Sequence, residues 1–130
     1  MGRRELIILD SSALLAVLLG EKGADAVLPV MRESILSSVN LSETLERGIA
    51  QGHAAQKLVA QIERFGVDIR PFDRDQALIA ADLRAVTRSR GLSLGDRACL
   101  ALARSLDAPV LTADQVWAEL DIGIDIRLIR

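Results

Sequence analysis

Aromatic residues are scarce in this chain: Phe65, Phe72 and Trp117 are the whole set, and tyrosine is absent. A surface that stacks many bases, as some single-strand binders have, is thereby excluded. Cys99 and His53 each stand alone, which rules out an internal disulfide, a multi-cysteine zinc site and a multi-histidine metal site. Neither a Ser-His-Asp triad nor a Cys-His pair can be built convincingly from them. A phosphate-cradling G-x-x-x-x-G-K-[ST] loop is also missing. Charge of one sign is not in excess: 16 Lys plus Arg against 18 Asp plus Glu leave a formal charge of -2, so no bulk positive field advertises nucleic-acid or membrane binding. No apolar run approaches the roughly 18 residues needed to span a bilayer. Arg3 and Arg4 ahead of an apolar stretch imitate a leader peptide, but Glu5 and Asp10-Ser11-Ser12 interrupt it and no A-x-A-like cleavage site follows. A cytoplasmic protein without a membrane partner is the expectation.

What is present is ordinary globular composition, 50% apolar and 26% charged over 130 residues, the size of one domain. Leu6 to Leu9 is a short continuous apolar run and reads as a strand buried on both faces. A helix follows over Ala13 to Leu19, then a helical stretch from about Gly23 to Arg32 that Pro29 kinks or shortens. Ile35 to Val39 reads as a strand. From Asn40 the pattern is helical, with a second helix from Ala54 to Phe65. Val67 to Arg70 is an edge strand closed by Pro71. A long helix spans Asp73 to about Arg90, and Ser93 to Leu106 forms a buried one. A strand at 109–112, a short helix from Asp114 to Leu120 and a last strand from Ile124 to Ile129 complete the chain. Alternating strands and helices argue an α/β layered fold, whose ligands bind outside the carboxyl ends of the strands.

Four acids fall at that edge, each with an innocent explanation. Asp10 and Asp114 follow strands and precede helices, which are capping positions. Glu43 stands three residues after Asn40 and Asp96 three after Ser93, the spacing of a capping box or its near variant. The layered fold nevertheless brings all four helix starts toward one edge. Two ionised carboxylates about 5 Å apart repel by roughly 3 kcal/mol at an effective dielectric near 20. Either protons or a divalent cation must offset that, and hard oxygen ligands without His or Cys select Mg²⁺ or Mn²⁺. Such an ion commonly meets phosphate, which makes phosphodiester hydrolysis the natural reaction.

The motifs Leu9-Asp10-Ser11-Ser12-Ala13-Leu14, Val39-Asn40-Leu41-Ser42-Glu43, Leu92-Ser93-Leu94-Gly95-Asp96 and Leu111-Thr112-Ala113-Asp114 with Trp117 resemble, in order and spacing, those of PIN-domain ribonucleases. Among these the chain is most similar to the VapC toxins of bacterial toxin–antitoxin pairs. The resemblance implies a three-layer α/β/α PIN-like nuclease domain over residues 1–130, with a central, mostly parallel sheet of about five strands. It implies Mg²⁺- or Mn²⁺-dependent endonucleolytic cleavage of RNA that leaves a 5′-phosphate and a 3′-hydroxyl. Carried over, Asp10, Glu43, Asp96 and Asp114 form the catalytic and metal site, with Asp10 and Asp96 nearest the ion and Ser12 and Thr112 in support. A cognate antitoxin and a homodimer are implied partners.

Arg84, Arg88, Arg90, Arg97 and Arg104 crowd the segment around the third acid and suggest a basic rim, with Arg97 as the candidate RNA contact; a solvated helix face or a salt bridge from Arg97 to a site acid are the alternatives. Cys99 reads as a core thiol, His53 as a surface residue and Trp117 as a packing residue. The surface from Ala13 to Phe65 is more apolar than one core needs and suits a partner chain. Two other functions fit less well. A phosphatase of the haloacid type wants an acid where Ser12 stands, and a receiver domain wants a late lysine, whereas the only lysines are Lys22 and Lys57. A catalytically silent binding module would keep the fold and the caps.

Overall fold

The computed structural model describes residues 5–130; the leader-like Arg3 and Arg4 lie outside that range. Five strands, β1 (Ile7–Leu9), β2 (Ser34–Ser37), β3 (Asp68–Arg70), β4 (Val110–Thr112) and β5 (Ile126–Leu128), form one sheet in the order β3-β2-β1-β4-β5. Every pairing is parallel. The helices are α1 (Ser11–Leu19), α2 (Ala24–Val27), α3 (Ser38–Ala50), α4 (Ala55–Arg64), α5 (Arg74–Thr87) and α6 (Leu94–Leu106). Val67–Arg70 was expected at an edge, and β3 is the edge strand beyond β2.

Strand alternation sorts the core into two halves. Ile7, Leu9, Leu36 and Leu111 face the side covered by α1, α2 and α4, where Leu14, Val27 and Ile62 meet them. Ile8, Ile35 and Val110 face the opposite side, against Leu83 of α5, Cys99, Leu100 and Leu102 of α6, and Trp117. The three layers follow from this period of two in the strands set against helical faces. Cys99 and Trp117 are fully buried, as their apolar neighbourhoods imply, and His53 is exposed.

Local differences from the sequence pattern have local causes. The strand expected over Ile35 to Val39 stops at Ser37, because the Ser37 hydroxyl accepts the backbone N–H of Val39 at 3.2 Å and starts α3 two residues before Asn40. Pro29 ends α2 and opens a 3-10 turn over Leu28–Glu33. The long helix closes as a 3-10 turn at Arg88–Arg90, with Gly91 in the left-handed region at φ 68°. The segment after Asp114 is also 3-10, over Gln115–Glu119, rather than α-helix. Among the described residues no helix is long and apolar enough to cross a membrane.

In a parallel sheet all carboxyl ends lie at one edge. The chain builds outward from β1 through β2 to β3, then returns to the other side of β1 with β4 and β5. The strand order therefore reverses between β1 and β4, where open α/β sheets leave a crevice for ligands.

Candidate functional site

Asp10 ends β1 at that reversal. Its backbone N–H donates to the Leu111 carbonyl of β4 at 3.0 Å, and its side chain is 3% exposed. It occupies the N-cap position of α1, yet its carboxylate makes no cap hydrogen bond, which corrects the capping explanation. Oδ2 instead receives two hydroxyls, Ser12 Oγ at 2.7 Å and Thr112 Oγ1 at 2.9 Å. Each hydroxyl has a single proton, so the 3.3 Å approach of Ser12 Oγ to Thr112 Oγ1 reflects their common target. The other oxygen, Oδ1, is buried with no protein partner. Burial pushes the Asp10 carboxyl up to about 6, against the partial opposition of the Ser12 and Thr112 hydrogen bonds.

The same two hydroxyls set the fourth acid. Thr112 Oγ1 accepts the N–H of Asp114 at 3.0 Å, and Ser12 Oγ accepts that of Ala113 at 2.9 Å. Asp114 is exposed and does act as a cap, with Oδ1 receiving the Val116 N–H at 3.1 Å.

Asp96 enters from α6. Its Oδ2 accepts the Ser93 N–H at 2.9 Å while Ser93 Oγ accepts the Asp96 N–H at 3.1 Å, so the expected capping box is complete. A capping role and a candidate place at the site are compatible for Asp96. Its pKa is raised, first by burial and also by the nearby Asp114 charge, against the Ser93 hydrogen bonds and the Arg97 cation.

Glu43 comes from α3. Asn40, expected to open that helix, lies inside it, and its amide donates to Glu43 Oε1 at 3.0 Å and to the Gly95 carbonyl of α6 at 2.9 Å. Ser11 Oγ reaches Glu43 Oε1 at 3.3 Å from α1. Hydrogen bonds thus run from Asp114 through Thr112 and Ser12 to Asp10, and from Ser11 through Glu43 and Asn40 to the residue before Asp96. The burial-raised thiol of Cys99 feels the carboxylates of Asp10, Asp96 and Glu43 together. Ser11 and Gly95 carried no separate signal in the sequence beyond their places in the motifs. Asn40 carried one, since residues three apart on a helix share a face.

The basic rim is smaller than the sequence suggests. Arg104 lies eight residues past Asp96 on α6, about 12 Å along the helix axis, where its guanidinium donates to the Ile122 carbonyl. Arg90 pairs with Glu119 at 3.3 Å. Arg97 is anchored through Nη1 to the Ala80 carbonyl of α5 at 3.0 Å, and its Nε is buried without a partner. Two surface cavities contain none of the four acids. One of about 260 Å³ is lined by Glu5, Arg104, Asp107 and Asp125, and one of about 340 Å³ by Leu28, Met31, Arg64 and Phe65.

The donor set is carboxylate and hydroxyl oxygen throughout, which suits a hard divalent cation. Oδ1 of Asp10, buried and unpartnered beside a second acid, is the observation that fits one. Among the described residues no three His, Cys, Asp or Glu side chains form a ready-made cage. A cation that keeps several of its waters and takes one or two carboxylates, as Mg²⁺ does, needs no such cage.

A family model described as "PIN domain" matches residues 7–123. The chain belongs to the PIN-domain family. It is 29% identical over 126 residues to "Ribonuclease VapC42" of Mycobacterium tuberculosis, across 89% of this chain and 96% of the relative. Solved PIN-like folds resemble it closely in three dimensions. A toxin-antitoxin complex from Klebsiella pneumoniae superposes with a TM-score of 0.76 at 18% identity, covering 95% of this chain and 98% of that one. VapC20 of M. tuberculosis, a sarcin-ricin-loop-cleaving toxin, gives 0.70 at 18% identity, with 92% and 98% covered. At these identities the two structures speak to the fold of this chain alone.

Proposed function

We propose that the chain is a divalent-cation-dependent endoribonuclease, the toxin of a toxin–antitoxin pair, with one nuclease domain over residues 1–130. The observation that carries this reading is the buried, unpartnered Oδ1 of Asp10 in a PIN-domain chain, with the Asp96 charge close enough to raise the Asp10 pKa. Mg²⁺ or Mn²⁺ held there would polarise a phosphoryl oxygen and lower the pKa of water.

The protein's own groups divide the remaining work. Ser12 and Thr112 hold Asp10 Oδ2, which fixes the carboxylate plane and leaves Oδ1 for the ion. Asp96, stiffened by its capping box, is the second ligand, direct or through water. Glu43 and Asp114 orient water at the edge of the site. Arg97, with Nη1 committed to Ala80, keeps further guanidinium donors for an RNA phosphate. The antitoxin is assigned to the surface between the 3-10 turn over Leu28–Glu33 and the end of α4, where Leu28 is 48% exposed beside the cavity lined by Met31, Arg64 and Phe65. A homodimer would cover apolar side chains such as Leu78 and Val86 on α5, 58% and 59% exposed.

The test is cleavage of structured RNA by the metal-stripped protein, before and after addition of Mg²⁺ or Mn²⁺. Metal-restored endonucleolytic products ending in a 5′-phosphate and a 3′-hydroxyl, lost in Asp10→Asn and Asp96→Asn, are expected. Cleavage that is indifferent to metal or to both substitutions overturns the proposal.

A further inference from the structure

Asn40 is a fully buried primary amide, and both of its protons are committed. Nδ2 donates to Glu43 Oε1 on its own helix and to the Gly95 carbonyl on α6. Both neighbours are pure acceptors, so the reversed amide would set its oxygen against a carboxylate and a carbonyl; the orientation is fixed by chemistry. One side chain therefore ties the carboxylate of the second acid to the first turn of the helix that carries the third.

Gly95 supplies an independent observation. A Cβ there would overlap all three atoms of the Glu43 carboxyl group. Gly95 lies inside α6 and is not among the glycines with positive φ, so backbone freedom does not require glycine at this position. Room does: the Glu43 carboxylate rests on bare backbone one residue before Asp96.

We propose that Asn40 is a positioning residue for Glu43 and that Gly95 is the seat on which Asn40 holds that carboxylate beside Asp96. The proposal rests on the reading of Glu43 as part of the metal site. Outer partners of metal-site carboxylates typically control affinity or activity by about 10- to 100-fold, and that is the size of effect expected here.

The experiment measures Mn²⁺ binding to the full chain by titration calorimetry, with RNA cleavage as a second readout, in Asn40→Ala, Gly95→Ala, Glu43→Ala and the two double variants with Glu43→Ala. Asn40→Ala and Gly95→Ala should each weaken Mn²⁺ binding about 10-fold or more and add nothing once Glu43 is already alanine. Gly95→Ala keeps the proposal falsifiable if Asn40→Ala fails to fold, because alanine suits a helix better than glycine and the displaced group is the end of a flexible side chain. Wild-type Mn²⁺ affinity in Gly95→Ala, or an Asn40→Ala loss that persists in full without Glu43, overturns the positioning role while leaving the metal site standing. Wild-type affinity and cleavage in Glu43→Ala itself overturns the metal-site reading of Glu43, and this proposal with it.

Discussion

Thr112 donates a buried hydrogen bond of 2.9 Å to Asp10 from 102 residues away in the chain, and the same Thr112 oxygen accepts the backbone N–H of Asp114. One hydroxyl thus sets the geometry of two acids. Thr112→Val keeps the shape but removes both bonds, leaving the Asp114 N–H without its acceptor. Cleavage should fall about 10- to 100-fold while the fold is retained. Ser12→Ala should act in the same direction, since Ser12 makes the equivalent pair of bonds to Asp10 and Ala113. Steady-state cleavage rates, with circular dichroism to confirm folding, check both. A Thr112→Val protein with unaltered cleavage would show that the hydroxyl serves only the fold.

The Asp10 pKa has a thermodynamic consequence whose sign is unusual for a carboxyl group. Burial raises it from 3.8 to about 6 in the folded chain, so between those values the folded state binds more protons than the unfolded one. The stability contributed by protonated Asp10 is fully present below about 4 and is lost as pH rises through about 6, a change of about 3 kcal/mol for this group alone. Other carboxyl groups titrate in the same range, so the difference between wild type and Asp10→Asn isolates the effect. Metal-free Asp10→Asn should be the more stable protein at pH 7, by about 1 to 3 kcal/mol, and the gap should close toward pH 4. Urea melts across that range measure it; a gap independent of pH would contradict the buried-charge account.

Adding Mn²⁺ should reverse that order. A cation at 100 times its Kd stabilises the folded state by about 2.7 kcal/mol, and the carboxylate proposed to bind it is the one burial destabilises. Wild type should therefore gain thermal stability with Mn²⁺ while Asp10→Asn gains little. Proton and metal compete for the same group, so the gain should shrink as pH falls below about 6. Differential scanning fluorimetry at pH 5 and pH 7.5 gives the comparison, and an equal Mn²⁺ response in both proteins would remove Asp10 from the ion's ligands.

The layers, the five strands and the places of Asp10 and Asp114 just past β1 and β4 were legible in the sequence, because they rest on periodicity and on residues at strand ends. Boundaries were less so: Ser37 and Asn40 are both good caps, and only the hydrogen bond from Val39 decides between them. The capping explanation failed for Asp10 and held for Asp96 and Asp114, although all three sit at helix starts. What separates them is a pair of hydroxyls on Asp10, Ser12 from α1 and Thr112 from β4, and the second is a partner that no local pattern reveals. Proximity in sequence groups Arg104 with Arg97, but helical rise carries it toward the far end of α6.

That separation makes a paired prediction for the two arginines. Arg97 adjoins Asp96 and is held by Ala80, with donors left over for a phosphate, whereas Arg104 is spent on the Ile122 carbonyl beside the cavity lined by Glu5 and Asp125. Loss of a phosphate contact weakens substrate binding in ground state and transition state alike, so Arg97→Gln should raise KM with a smaller effect on kcat. It should also reduce the slope of log KM against log salt by about 0.7 to 1, the release of one counterion. Arg104→Gln should leave both KM and the salt slope at wild-type values and cost only stability. Salt-series kinetics on the two variants decide the matter: equal behaviour of the pair would mean that Arg97 serves the α5–α6 contact alone and that RNA is held by other cations.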